Sequence, residues 1–158
     1  MKHFILSVVV LMITSTTTFA QHIGKAYIGL SLDETIEQCM SVGYEFVEKG
    51  DDCATFLIPN NIHEYDVDVT LVMYASPATK TVWFGIMKFS ANSKKEAKAT
   101  FFSVNRAITE KFGNPDKKRR KVFSWTTGYS IIDVQLERTR VSYTVISTGA
   151  FNKIESEY

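Results

Sequence analysis

The densest group of side chains able to hold a metal ion is His63-Glu64-Tyr65-Asp66-Val67-Asp68. In a strand, Glu64, Asp66 and Asp68 point one way and His63 the other, because successive side chains alternate between faces. Three hard oxygen ligands in a row suit Ca²⁺, which defines one reading: a small-ligand or metal-binding protein centred on His63, Asp66 and Asp68. A straight row of acids lacks the curvature that wraps an ion. The stronger expectation is therefore a solvated outer strand face with Val67, Val69 and Leu71 inward, and no cofactor.

Acid–base and nucleophilic chemistry has little to work with. Beyond the first twenty residues the chain has two histidines, His22 and His63. No G-x-S-x-G, H-E-x-x-H, P-loop, EF-hand or C-x-x-C pattern accompanies them. A hydrolase of unrecognised type would need one of these two histidines beside a Ser or Cys. The expectation is a protein that is not an enzyme.

Two other groups point to binding. Lys117-Lys118-Arg119-Arg120-Lys121 is the densest charge run. It suits lipid phosphates, acidic glycans or an acidic protein surface, unless it is simply a solvated loop. It contains no interleaved aromatics, so nucleic acid is not expected. Trp83 and Trp125 fall in strand-like segments. Thr81–Phe89 is apolar on both faces, with Val82, Phe84 and Ile86 on one side and Trp83, Met87 and Phe89 on the other. Two helices can cover one such face. The other is buried by a curled sheet or stays open for docking.

The elements that must position these groups can be read from capping and periodicity. Ser31-Leu32-Asp33-Glu34 is a capping box, followed by Leu32, Ile36, Cys39 and Met40 on one helical face and Gly43 as the stop. Strands are expected over 44–48, 53–58, 66–74 and 81–89. Ser93-Lys94-Lys95-Glu96 opens a second, longer helix through Ala97, Phe101, Val104, Ile108 and Phe112, closed by Gly113 and Asn114-Pro115. Three more strands follow, over 122–126, 130–137 and 139–147, with the basic run as a connecting loop.

The predicted class is α+β: a mostly antiparallel sheet of about seven strands with two helices on one face. The order is helix, four strands, helix, three strands. Residues 27–90 and 91–151 would then form a degenerate repeat, with capping serines 62 positions apart. Charge divides between the halves: residues 21–90 carry ten acids and four bases, whereas 91–158 carry seven acids and thirteen bases. The whole chain, at 158 residues with a net charge of +1, holds one domain and shows no bulk preference for a charged partner.

Met1–Ala20 has the layout of a secretory signal peptide: basic Lys2 and His3, the apolar run Phe4–Ile13, and a small residue at Ala20. Ten apolar residues reach about 15 Å as a helix, half of a bilayer core. The expected product is a single soluble domain, 21–158, periplasmic or secreted and without a transmembrane segment. In such a compartment Cys39 and Cys53 are placed to form a disulfide, and two buried thiols are the alternative.

Gly29-Leu30-Ser31-Leu32-Asp33-Glu34-Thr35-Ile36, a short helix, Gly43 and a meander together resemble small envelope domains of the SmpA/OmlA and beta-lactamase-inhibitor-protein type. In the second half, Phe112-Gly113-Asn114-Pro115 ahead of Trp125 is similar to exported bacterial domains of unknown function. The chain differs from the inhibitors in having one helix per half, and from the envelope lipoproteins in lacking a lipidated Cys. The resemblance implies a non-catalytic domain that binds a protein or an envelope component. The candidate contacts are Trp83, Trp125 and Lys117–Lys121.

Overall fold

The computed structural model describes residues 29–62, 65–128 and 130–147. Met1–Ala20, His22, His63 and Glu64 lie outside the described residues. Ten elements run in the order α1 (Leu32–Ser41), β1 (Glu45–Lys49), β2 (Cys53–Ile58), β3 (Asp68–Ala75), β4 (Val82–Ser90), α2 (Lys94–Phe112), β5 (Lys117–Arg119), β6 (Val122–Thr127), β7 (Ser130–Glu137) and β8 (Arg140–Ser147). The class is α+β.

Both helices start where their caps dictate. The Ser31 hydroxyl accepts from Glu34 N at 3.2 Å, and the Glu34 carboxylate accepts from Ser31 N at 2.9 Å. At α2, Ser93 accepts from Glu96 N, while Glu96 reaches one residue further back to Asn92 N. Gly43 and Gly113 follow the two helices at φ +91° and +83°, the left-handed region that glycine enters without a Cβ clash.

The strands form one antiparallel sheet in the order β1-β2-β3-β4-β8-β7-β6-β5. Each half is thus a helix followed by a four-strand meander, and the halves join where β4 pairs with β8, from Phe84 opposite Ile146 to Ser90 opposite Arg140. Among the described residues there are eight strands where about seven were expected. The additional one, β5, lies inside the basic run and pairs with β6 through Lys117–Ser124, Lys118–Phe123 and Arg119–Val122. Three consecutive cations carry no strand signal of their own. Pairing with β6 puts them in the sheet, and charge at the edge resists pairing with another chain.

Register carries one row across the sheet, buried from Phe56 through Leu71, Met87 and Tyr143 to Val134 and half-buried at Phe123. Together with Leu32 and Cys39 of α1, and Phe101, Val104 and Ile108 of α2, these residues belong to one core on one face of the sheet. Near the start of β4 the register shifts, so that Val82 faces Ala75 and Phe84 faces Tyr74. Val82 is fully buried with Met87 and Phe89, whereas Phe84 and Ile86 stand half-buried on the other side. Strict alternation had grouped Val82 with Phe84. The bulge at Trp83 separates them.

Candidate functional site

The face of the sheet turned away from the helices is where the chain presents unusual chemistry. Among the described residues no helix lies over it. Side chains on it form rows about 7 Å apart along the strands, with neighbours about 4.8 Å apart across them. One row runs Cys53, Tyr74, Phe84, Ile146, Ile131, Thr126. The next runs Thr55, Val72, Ile86, Thr144, Asp133, Ser124, Lys117. Tyr74 and Phe84 have ring centroids 5.2 Å apart, and the bulge residue Trp83 lies 5.5 Å from Phe84 at an interplanar angle of 34°. Trp83, Phe84, Ile131 and Ile146 are all half-buried, neither packed into the core nor fully solvated. Such a band is more apolar than a solvated sheet face with its usual alternation.

The two edges of this face carry opposite charge. Glu45 and Glu48 of β1 pair with Leu57 and Thr55, and Lys117 and Arg119 of β5 pair with Ser124 and Val122. All four charged residues are exposed. The unequal charge of the two halves therefore becomes a gradient across one surface. Lys118 faces the helix side, with its Nζ 5.2 Å from the centroid of the Phe123 ring. Arg120 and Lys121 form the turn into β6.

Trp125 is a correction to the expected contact set. It is 2% exposed, and its indole N–H donates to Gly113 O at 2.9 Å, tying β6 to the end of α2. It sits in β6 opposite Ile132, on the buried side of the sheet, so it anchors the core. Trp83, one of the same pair of candidates, remains at the surface.

The cysteines do not form a disulfide. Cys39 is buried between α1 and the sheet, while Cys53 pairs with Tyr74 on the opposite face. Alternation along Cys53–Ile58 sends Ala54, Phe56 and Ile58 to the core and Cys53 away from it.

The candidate metal ligands are only partly described, since His63 lies outside the described residues. Asp66 and Asp68 are exposed, and Asp68 and Glu45 both line a shallow concavity of about 550 Å³, with β2 between their strands. No group of three or more His, Cys, Asp or Glu side chains able to hold a metal occurs among the described residues.

Among the described residues, three ionisable side chains have shifted pKa values, and each has a structural cause. The Ser31 backbone N–H and hydroxyl hold Glu34 below its ordinary 4.5. Burial, helped by the neighbouring Cys39, pushes Tyr44 up to about 12, and burial pushes Tyr143 further in the same direction. These are a helix cap and two core phenols.

No protein-family model, curated protein or solved structure matches the chain. No helix among the described residues is long and apolar enough to cross a membrane.

Sequence reasoning did not single out Tyr74, Ile131 and Ile146. Only cross-strand register brings Tyr74 and Ile146 beside Phe84, and Ile131 beside Ile146.

Proposed function

We propose that this chain is an exported, non-catalytic binding domain that docks a protein partner on the open face of its sheet. The observation that carries this is the aromatic and aliphatic row Tyr74, Phe84, Ile146 and Ile131, with the tilted Trp83 ring at its side and no described helix over it. Eight strands about 4.8 Å apart and four rows about 7 Å apart offer roughly 1,000 Å², enough for the ~800 Å² that each partner contributes to a standard interface. Rigid aromatics supply contact area at low entropic cost, and they are enriched in interface cores. The acidic and basic edges add orientation, because a partner of complementary charge docks in one direction and a reversed one meets like charges.

Export rests on the layout of Met1–Ala20. The resemblance of Gly29–Ile36 and its meander to exported inhibitor-type domains supports the same reading. The lack of a catalytic signature around either remaining histidine supports a binding role over bond-making.

The test uses a photo-crosslinking residue in the chain as produced by its own cells, at Phe84 or Ile146 on the open face and at Phe102 as a control. Phe102 is 53% exposed on α2, on the opposite side of the molecule. Discrete protein adducts from the two face positions and none from Phe102 are expected. No adducts, or the same adducts from all three positions, would refute the proposal. Retention of the leader on the chain inside intact cells would separately refute export.

A further inference from the structure

The cationic end of the open face holds a second feature, separated from the aromatic row by three side-chain rows, or roughly 20 Å. An open concavity of about 790 Å³ is lined there by Lys121, Gln135, Glu137, Arg138, Thr139 and Arg140, among others. Three of these side chains are cations. The one carboxylate among them, Glu137, accepts from the Gln135 amide at 2.6 Å. Among the described residues the ion pairs are Lys49–Asp33 and Lys80–Asp52, so the three cations have no carboxylate partner within that set. Arg119 and Arg120, in the adjoining hairpin, extend the same positive field.

The walls of the concavity are held in place. Leu136 N donates to Lys121 O at 2.9 Å, fastening the β5–β6 turn to β7. Ala91 N donates to Thr139 O at 2.9 Å, fastening the β7–β8 turn to the end of β4. That second turn has only two residues, Arg138 and Thr139, between the paired Glu137 and Arg140. Arg138 occupies it at φ +48°, in the left-handed region where glycine or asparagine sits at lower cost. Arg138 therefore carries a charge at a turn position whose backbone conformation favours glycine.

We infer that Lys121, Arg138 and Arg140 form a binding site for a phosphate-bearing anion. Two guanidinium groups offer the forked donors that match phosphate oxygens, and the lysine adds a point charge across the concavity. A volume of several hundred Å³ admits a phosphate group with the organic moiety that carries it. The site lies on the same sheet face but uses none of Tyr74, Phe84, Ile131 and Ile146 of the aromatic row.

The test is titration of the full chain with pyrophosphate, and separately with vesicles containing phosphatidylglycerol, at low and high salt. Binding that weakens at least tenfold in Arg138→Asn, while the melting temperature of that variant holds or rises, is the expected result. Opposite movements of affinity and stability separate a binding residue from a structural one. Loss of pyrophosphate binding in the variant identifies a free phosphate ligand, and loss of vesicle binding alone identifies a lipid headgroup; either supports the site. The Lys94→Ala/Lys95→Ala double variant, which removes two exposed cations at the start of α2, is the control for general positive charge. Binding to neither probe overturns the proposal, as does a loss in the double variant equal to that in Arg138→Asn.

Discussion

Replacing Trp125 by Phe removes the indole N–H and part of the ring system from the junction between the end of α2 and β6. The indole is 2% exposed, packs 6.3 Å from the Phe123 ring centroid and donates to Gly113 O at 2.9 Å. Loss of a neutral hydrogen bond costs about 1 kcal/mol. Gly113 is exposed, so its carbonyl can take up water and adds little to that cost. The smaller ring leaves a void of roughly 40 Å³, which at about 24 cal/mol per Å³ adds ~1 kcal/mol. The sum, about 2 kcal/mol, corresponds to a melting temperature lower by roughly 6–10 °C for a domain of this size. Thermal and urea unfolding followed by circular dichroism measures it. Trp83→Phe is the matched control: Trp83 is half-buried at the bulge, so its loss is expected to be below about 1 kcal/mol. Trp83→Phe also leaves Trp125 as the sole tryptophan, whose emission should be blue-shifted and resistant to acrylamide. Equal destabilisation by the two substitutions, or an easily quenched Trp125, would refute the assignment of Trp125 to the core.

Three further outcomes follow from the same structure. Asn105 is 2% exposed in α2; its amide N–H donates to Phe101 O at 2.6 Å, and its Oδ1 has no partner. Asn105→Leu, similar in shape and without the orphaned acceptor, should stabilise the fold by about 1 kcal/mol, read as a higher urea midpoint at unchanged slope. Because Glu34 is held below 4.5, its ionised form stabilises the folded state; that contribution is present above pH 4.5 and fades as pH falls through the lower folded value. The gap in melting temperature between wild type and Glu34→Gln should therefore narrow on acidification, and a gap that widens would contradict the cap. Tyr44 is raised from 10.0 to about 12, so stability is full below pH 10 and is lost between those values as the unfolded phenol ionises first. Melting temperature against pH should fall across that interval, and Tyr44→Phe should blunt the fall.

Local signals were legible where the physics is local. Ser31 with Glu34 and Ser93 with Glu96 mark both helix starts, because a hydroxyl or carboxylate satisfies amides only a turn away. Strands β2, β7 and β8 are readable within a residue from alternation and flanking turns. Three features were not. The strand β5 lies in a run of cations, and it is a strand because β6 offers it a hydrogen-bonding edge. The shift at Trp83 exchanges the sides of Val82 and Phe84, and no residue type there signals a bulge. The Cys39–Cys53 bond looked favourable from separation along the chain, but the sheet lies between the two side chains. For the candidate sites, Trp83 and the Lys117–Lys121 run were visible as residue types. Trp125 looked equivalent to Trp83 until register placed it opposite Ile132.

By itself the sequence determines that strands with two distinct faces must pack beneath two capped helices, and that one half is acidic and the other basic. Periodicity and capping depend on neighbours within a few positions, so they survive without knowledge of the fold. Only the tertiary structure decides which face the helices cover and which side chains share a row on the other. The pairing of β4 with β8 joins residues fifty or more positions apart and sets Phe84 beside Ile146. The two-residue turn at Arg138 brings that arginine round to the same concavity as Lys121. Both sites are products of register, a collective property of eight strands that no single segment encodes.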